Sequence, residues 1–148
     1  MGKEEAPDFA ADLRKLRCVK KNERVAEMVR QCEGRGVDPH YAAYFEYFNQ
    51  GLYYEAHDVL EQLWLPIRKG PEGAFYKGLI QLAGAFVHWQ KGRPGPMAAL
   101  LKLARHNVLP WAPVHQRLDV GEVLNIIDRR LANLDSQTAP KLELRPVS

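Results

Sequence analysis

The pattern of apolar and polar positions is strongest over residues 73–91, which contain few charged side chains. At 100° per residue, large apolar side chains cover more than half of the circumference of a helix over this stretch. One apolar arc is formed by Phe75, Leu79, Leu82, Phe86 and Trp89, and the next by Tyr76, Ile80, Ala83 and Val87. The narrow polar stripe that remains is formed by Lys77, Gln81, Gly84 and His88. The pattern predicts a central, surrounded helix. Gly78 and Ala85 flank the polar stripe and allow another helix to approach closely there.

The same period, with helix start and stop signals, predicts helices before and after this stretch. They cover residues 23–33, 39–50, 53–65, 96–109 and 120–134. Asp38 followed by Pro39 is a clear helix start, and Asp119 with Glu122 three positions later resembles a capping box. No alternating run typical of a β-strand occurs. The sequence therefore predicts an all-α protein, a compact bundle of about five to six helices.

Two antiparallel helical hairpins are expected within this bundle, over residues 39–65 and 73–109. The first is similar to a tetratricopeptide unit in the spacing of five residues: Tyr47, Gly51, Tyr53, Ala56 and Leu60. A repeat array needs about three such units, and the chain has at most two. The prediction is therefore a compact bundle with tetratricopeptide-like character in its first hairpin.

Composition agrees with one folded domain, because 148 residues with 46% hydrophobic content can bury one sizeable core. Residues 1–36 are interpreted as an N-terminal helical arm with one apolar stripe over residues 9–16. Residues 37–135 are the predicted helical bundle core. Residues 136–148, which follow the last apolar stripe, are expected to be a mobile C-terminal tail.

Neither an apolar stretch long enough to span a membrane nor a basic and then apolar leader is present. The expected location is therefore the cytoplasm, without a membrane partner. Cys18 and Cys32 have no close Cys or His at metal-ligand spacing, and Cys32 continues an apolar helix stripe. Both cysteines are interpreted as reduced thiols.

Charge is distributed unevenly, although the net charge is only +3. Residues 37–67 hold five acids and no Lys or Arg, a net charge of −5, whereas residues 68–117 hold eight basic residues and one acid, a net charge of +7. The basic residues are spaced singly rather than clustered with aromatic residues. The pattern therefore does not favour a nucleic-acid partner and fits solvated helix faces with some pairing to the acidic segment.

The chemically suggestive residues lie on the predicted hairpin helices. His57 and Glu61 are one helical turn apart, and packing their edge against the polar stripe of the central helix would gather them with Gln81 and His88. Tyr54 or Tyr76 would lie near such a half-buried pocket. A His/Glu/Gln network that fixes the helix register is the favoured interpretation. The alternatives are a divalent metal bound by His57, Glu61 and His88, and a His–Glu pair acting as general base.

Two segments carry a family resemblance: residues 49–64, Asn-Gln-Gly-Leu-Tyr-Tyr-Glu-Ala-His-Asp-Val-Leu-Glu-Gln-Leu-Trp, and residues 76–83, Tyr-Lys-Gly-Leu-Ile-Gln-Leu-Ala. Over residues 44–109 the chain resembles the family catalogued as domain of unknown function 309, whose members are small all-helical proteins. The family hallmark falls on His57, Asp58, Glu61 and Trp64, with further matches at Gln81 and His88. Asp58 stands where Glu is usual. Residues 93–97 also depart from the family pattern. The resemblance implies a helical fold and gives weight to this residue group, but it implies no reaction.

Two function classes stay open. A non-catalytic module that binds a protein or peptide partner is favoured, because the chain lacks an activated nucleophile, a phosphate-binding glycine loop, a zinc-protease helix and a dinucleotide fingerprint. The alternative is a metal-dependent or acid/base enzyme, hydrolase-like, that uses His57, Glu61 and His88. The sequence indicates no specific cofactor, and a divalent metal is not favoured. Whether the protein is an enzyme and how it oligomerises are left open.

Overall fold

A computed structural model describes residues 22–146. Within this range the chain forms six α-helices, one short 3₁₀ helix and a two-stranded antiparallel sheet. The helices are α1 (22–31), α2 (Pro39–Asn49), α3 (Tyr53–Ile67), α4 (Gly73–Gln90), α5 (Pro94–Val108) and α6 (Val120–Ala132), with a 3₁₀ turn at Leu109–Trp111 and strands β1 (Val114–His115) and β2 (Leu118–Asp119). The all-α prediction is confirmed.

Consecutive helices from α2 to α5 pack against one another, and α6 packs on α5. The two predicted hairpins are α2–α3 and α4–α5, and their turns share one geometry. Gly51 and Gly92 adopt φ values of 76° and 66°, which a residue without a side chain tolerates best. In both turns the amide after the glycine donates to a carbonyl five positions earlier, Leu52 to Tyr47 and Arg93 to His88, at 2.9 Å. The two hairpins are therefore closed by the same backbone motif.

Both predicted N-caps are present. The Asp38 carboxylate accepts the His40 amide at 2.8 Å, and Asp119 accepts the Glu122 amide at 3.0 Å. The second cap is only half of a capping box, because the Glu122 carboxylate accepts from the Arg129 guanidinium at 2.9 Å. These local hydrogen bonds explain why α2 and α6 begin where the sequence predicted.

The central helix of the sequence analysis is α4, which packs on both α3 and α5. Most of its predicted apolar residues lie in the core, and the large ones with fully buried side chains are Phe75, Leu79, Leu82 and Phe86. Gly78 lies against α5, where a Cβ atom would stand 2.5 Å from Cγ1 of Val108 and 3.2 Å from the Ala104 carbonyl oxygen. The small residues of α4 on this side therefore allow the close helix contact that the pattern predicted.

The short β1–β2 hairpin was missing from the sequence prediction. Its two turn residues, Gln116 and Arg117, have φ values of 48° and 60°, and strands of two residues each are too short to show an alternating pattern. The Tyr41 hydroxyl of α2 donates to the Gln116 carbonyl at 3.0 Å. This contact holds the hairpin turn against the bundle.

The C-terminal segment crosses the bundle surface. Leu142 is buried, its amide donates to the Asn49 side-chain oxygen at 2.8 Å, and its carbonyl accepts from the Asn49 amide group at 2.7 Å. Leu144 pairs with Leu118 in an isolated bridge. The segment predicted as a mobile tail thus makes specific contacts through its described residues. The division of the chain into arm, core and tail stays a prediction.

The apolar stripe over residues 9–16 and Cys18 lie outside the described residues, whereas Cys32 is a buried free thiol. Within residues 22–146, no helix combines the length and the apolar character that crossing a membrane requires.

Candidate functional site

The predicted His57–Glu61 pair lies on α3 at the protein surface. The His57 Nε2 atom is 3.7 Å from a Glu61 carboxylate oxygen, and Nδ1 is 3.2 Å from the carboxylate of Asp58. The side chains of His57 and Glu61 are 34% and 40% exposed. The pair therefore forms as the one-turn spacing predicts, but on a half-exposed helix face rather than in a buried pocket.

Gln81 and His88 lie on the face of α4 that packs against α5, not on the face that packs against α3. The Gln81 side-chain oxygen accepts from the Asn107 amide of α5 at 2.7 Å, and Gly84, one turn before His88, faces Leu100 of α5. By contrast, α3 reaches α4 through Tyr53, whose ring lies 5.4 Å from that of Phe86. At 100° per residue, Phe86 is about 140° around the helix from Gln81.

The prediction that His57, Glu61, Gln81 and His88 share one pocket is therefore wrong. The helix α4 separates the two pairs, since it presents different faces to α3 and to α5. The metal site predicted from His57, Glu61 and His88 is not formed: among residues 22–146, no three His, Cys, Asp or Glu side chains are grouped closely enough to hold an ion. The His88 Nδ1 atom is buried and has no hydrogen-bond partner within the described residues.

Trp64 has a structural contact that the sequence did not specify. Its indole N–H donates to the Gly73 carbonyl at 3.0 Å, and the half-buried ring packs against the core. This bond joins the end of α3 to the first residue of α4. Trp64 therefore helps to hold the tight turn between the two helices.

A second polar cluster joins α4 to the β hairpin. The His115 Nε2 atom lies 2.7 Å from a Glu72 carboxylate oxygen, and the Gln116 amide donates to both carboxylate oxygens at 3.1 and 3.2 Å. The same amide also donates to the Tyr76 hydroxyl at 2.7 Å. The His115 ring packs on Phe75, at 4.7 Å between centroids, and on a neighbouring ring, Trp111, at 4.4 Å. Only Tyr76 of these residues was a sequence candidate.

The electrostatic environment of this cluster is clearest at Tyr76. Burial, followed by the nearby Glu72 carboxylate, raises the pKa of the Tyr76 hydroxyl to about 12. Burial also raises the pKa of Tyr41, whose hydroxyl contacts the same hairpin turn. Both hydroxyls therefore stay protonated and can act as hydrogen-bond donors over the ordinary pH range.

A histidine paired with a carboxylate and next to a tyrosine has groups that can move protons. Here, however, the side chains of Glu72, Gln116 and Tyr76 are hydrogen-bonded to one another, and these bonds attach the hairpin to α4. A role in fixing the hairpin accounts for the arrangement. The sequence held no spacing signal for it, because Glu72 and His115 are 43 positions apart.

The raised pKa of Tyr76 has a measurable consequence. The folded state holds this proton more tightly than the unfolded state, whose tyrosine pKa is near 10.0, so stability falls as the pH rises from about 10 to about 12. The tyrosinate absorbance of the wild type and of Tyr76→Phe should be followed over pH, and the difference between the two curves reports Tyr76 alone. We expect this difference to have its midpoint near pH 12. In Glu72→Gln the midpoint should move down, because a negative charge has been removed. A midpoint near 10 in the wild type would contradict this interpretation.

Residues 41–107 match the family model described as domain of unknown function (DUF309). The resemblance drawn from the helix motifs is thereby confirmed. The stretch that matches this family model covers nearly all of α2–α5 and contains the surface pair His57 and Glu61, the turn contact of Trp64, and Gln81 and His88 on the α5-facing stripe. It ends before the β hairpin and α6.

An uncharacterized protein of Aquifex aeolicus (strain VF5) is 25% identical to this chain over 96 residues. The aligned part is 65% of this chain and 29% of the relative, so the chain spans less than a third of that protein's length. Neither the DUF309 description nor the relative's name states a ligand or a reaction.

Proposed function

We propose that this protein is a non-catalytic interaction module that binds a basic, partly apolar segment of a partner protein along the exposed face of α3. The observation that carries the proposal is a stripe at positions 54, 58, 61 and 65, which share one side of the helix. Tyr54 and Leu65, at its ends, are 55% and 44% exposed. Exposed large apolar side chains next to polar ones are one feature of protein-binding surfaces, in which apolar anchors lie beside polar residues.

Charge defines the partner. The helix α3 carries three acids, Glu55, Asp58 and Glu61, and no Lys or Arg. A shallow groove of about 210 Å³ between α3 and α1 is lined by Asp58, Glu61 and Leu65 together with residues of α1. A partner segment with Lys or Arg beside apolar side chains complements both features, and opposite charge speeds association.

The acid/base alternative has less support, because the His57 Nε2 atom and the Glu61 carboxylate are 3.7 Å apart, longer than a hydrogen bond, on a half-exposed helix face. Its metal-dependent form would also need His88 beside this pair. His88 lies on the stripe of α4 that faces α5. The half-exposed Glu61 carboxylate suits recognition of a Lys or Arg side chain, because exposed charges at an interface select a partner of opposite charge.

The experiment uses a fluorescein-labelled amphipathic peptide of about 14 Leu and Lys residues and its Leu/Glu counterpart, followed by fluorescence anisotropy. We expect the Lys peptide to bind and the Glu peptide not to bind. Glu61→Lys and Leu65→Ser should each weaken binding at least about fivefold, which corresponds to roughly 1 kcal/mol.

Matched controls lie elsewhere on the surface. Leu103→Ser replaces a leucine of α5 that is 49% exposed, and Glu143→Lys makes the same charge change in the C-terminal segment. Both should leave the affinity within about twofold. Equal losses at the control and α3 positions, or equal binding of both peptides, would contradict the proposal. A gain in affinity on deleting residues 1–21 would show that the N-terminal arm competes for this face.

A further inference from the structure

In the part of the chain that the structure describes, a buried cation without a carboxylate partner lies between α6 and the core. Arg130 is only 6% exposed, and its guanidinium carbon is 4.8 Å from the Trp89 ring centroid and 5.1 Å from that of Phe86. Burial lowers the pKa of Arg130, which reports the cost of removing this charge from water. Arginine is rarely buried to this degree unless an acid pairs with it.

The acids of α6 and its cap are paired with other arginines. Asp119 pairs with Arg145, Glu122 with Arg129, and Asp128 with Arg105. Within the described residues, Arg130 instead donates to two backbone carbonyls, those of Ser136 at 3.0 Å and of Thr138. Carbonyl oxygens and ring faces carry partial charge only, and these two bonds use two of the five N–H groups of a guanidinium. The full positive charge is therefore not neutralised by this part of the chain.

Arg130 lines an open groove of about 460 Å³ between α6 and the C-terminal segment. This volume is within the range of small-molecule sites, about 300–1,000 Å³. Arg129 and Lys141 also line the groove, with Glu122 as its one acid, and its apolar lining residues are Ile126, Ala139 and Pro140. Cationic groups beside these three apolar residues, in a groove that also contains Asn133, Ser136 and Thr138, favour a ligand with one anionic group and a compact apolar body.

A second buried polar group is close to this cation. The Tyr53 hydroxyl is buried and has no hydrogen-bond partner among residues 22–146, and its ring shares Phe86 and Trp89 with the Arg130 guanidinium. Buried hydroxyls normally have a hydrogen-bond partner, so the Tyr53 hydroxyl, like the Arg130 guanidinium, has hydrogen-bonding capacity that the described residues do not use.

We propose that the groove between α6 and residues 133–141 binds a small organic oxyanion, a carboxylate or a phosphate ester, whose charge is neutralised by Arg130. Arg129, which also pairs with Glu122, and Lys141, whose Nζ atom also donates to the Asn49 carbonyl, lie at the rim and add positive potential there, and Ile126 and Pro140 contact the apolar part of the ligand. A guanidinium suits this role because its planar N–H groups match two oxygens of a carboxylate or phosphate. The site is separate from the α3 face and does not depend on it.

Isothermal titration with four probes tests the site: benzoate, phenyl phosphate, the uncharged benzamide and inorganic phosphate. Benzamide has nearly the shape of benzoate without the charge, and inorganic phosphate has the charge without the apolar body. We expect benzoate or phenyl phosphate to bind with a Kd of about 0.1–1 mM, and benzamide and inorganic phosphate at least about tenfold more weakly. Tighter binding of benzoate than of phenyl phosphate would identify a carboxylate ligand, and the reverse order a phosphate ester.

Variants locate the binding. Lys141→Gln and Arg129→Gln change exposed rim residues and should each weaken the better probe at least about threefold, whereas Lys102→Gln on α5 should leave it unchanged. Arg130→Met should abolish anion binding while the protein stays folded, because replacing a buried unpaired charge by an apolar residue is often tolerated. If this variant does not fold, the comparison of Lys141→Gln and Arg129→Gln with Lys102→Gln still tests whether the probe binds in this groove. Absence of binding up to about 10 mM, equal binding of benzamide, or equal losses in Lys102→Gln would overturn the proposal.

Discussion

Replacing Gly73 with alanine is expected to lower the free energy of unfolding by about 3 kcal/mol, the upper part of the range for overpacking. A Cβ atom at this position would stand 2.2 Å from the Arg68 carbonyl oxygen and 2.8 Å from its carbon. These are backbone atoms of the turn between α3 and α4, so they cannot move aside as a flexible side chain does. The clash would also disturb the Gly73 carbonyl that accepts the Trp64 indole N–H.

Gly84→Ala is the matched control, because it makes the same chemical change in the same helix. The nearest atom to its Cβ would be Cδ1 of Leu100 at 3.4 Å, an ordinary contact. Replacing a helical glycine by alanine then stabilises the protein by about 0.5–1 kcal/mol. Urea unfolding of both variants should therefore give changes of opposite sign. A Gly73→Ala variant as stable as the wild type would show that the α3–α4 turn relaxes freely.

Phe86→Ala is expected to cost about 3–5 kcal/mol, the usual cost of truncating a buried phenylalanine. The ring is fully buried at the meeting point of the α2, α3 and α4 aromatic residues, with Phe48, Tyr53 and Trp89 at 5.9, 5.4 and 5.9 Å between centroids. Its loss leaves a cavity, and it also removes one of the two ring faces that contact the Arg130 guanidinium. Both effects reduce stability.

Denaturant midpoints of Phe86→Ala and of Leu103→Ala, which truncates a half-exposed leucine on α5, should be measured together. The surface truncation should change stability by no more than about 0.5 kcal/mol. A loss below about 1 kcal/mol for Phe86→Ala would mean that the surrounding rings close over the cavity and that the site is packed less tightly than the distances indicate.

The accuracy of the fold prediction follows from how local its signals are. Asp38 caps α2 through the amide two residues later. In both hairpin turns, the amide after the glycine donates to a carbonyl in the last turn of the preceding helix. The apolar arcs of α4 were also readable, because every helix repeats its faces each 3.6 residues. The His57–Glu61 contact belongs to the same class, since residues four apart on a helix are neighbours.

The candidate site was predicted less well, because it required knowing which helix covers which face. The small residues of α4 indicated that some helix approaches the Gln81 stripe, but the same pattern permits either α3 or α5 to do so. The structure places Asn107 of α5 there. The predicted cluster with His57 was wrong for this reason.

By itself the sequence determined the helices of this protein, their caps and turns, and the face of α4 that admits a close neighbour, because each depends on residues within one or two helical turns. Only the tertiary structure decided the pairing of Glu72 with His115 and the burial of Arg130, which α6's own polar pattern does not show. Such contacts depend on how elements far apart in the chain pack, and the helical period carries no information about a partner more than a few turns away.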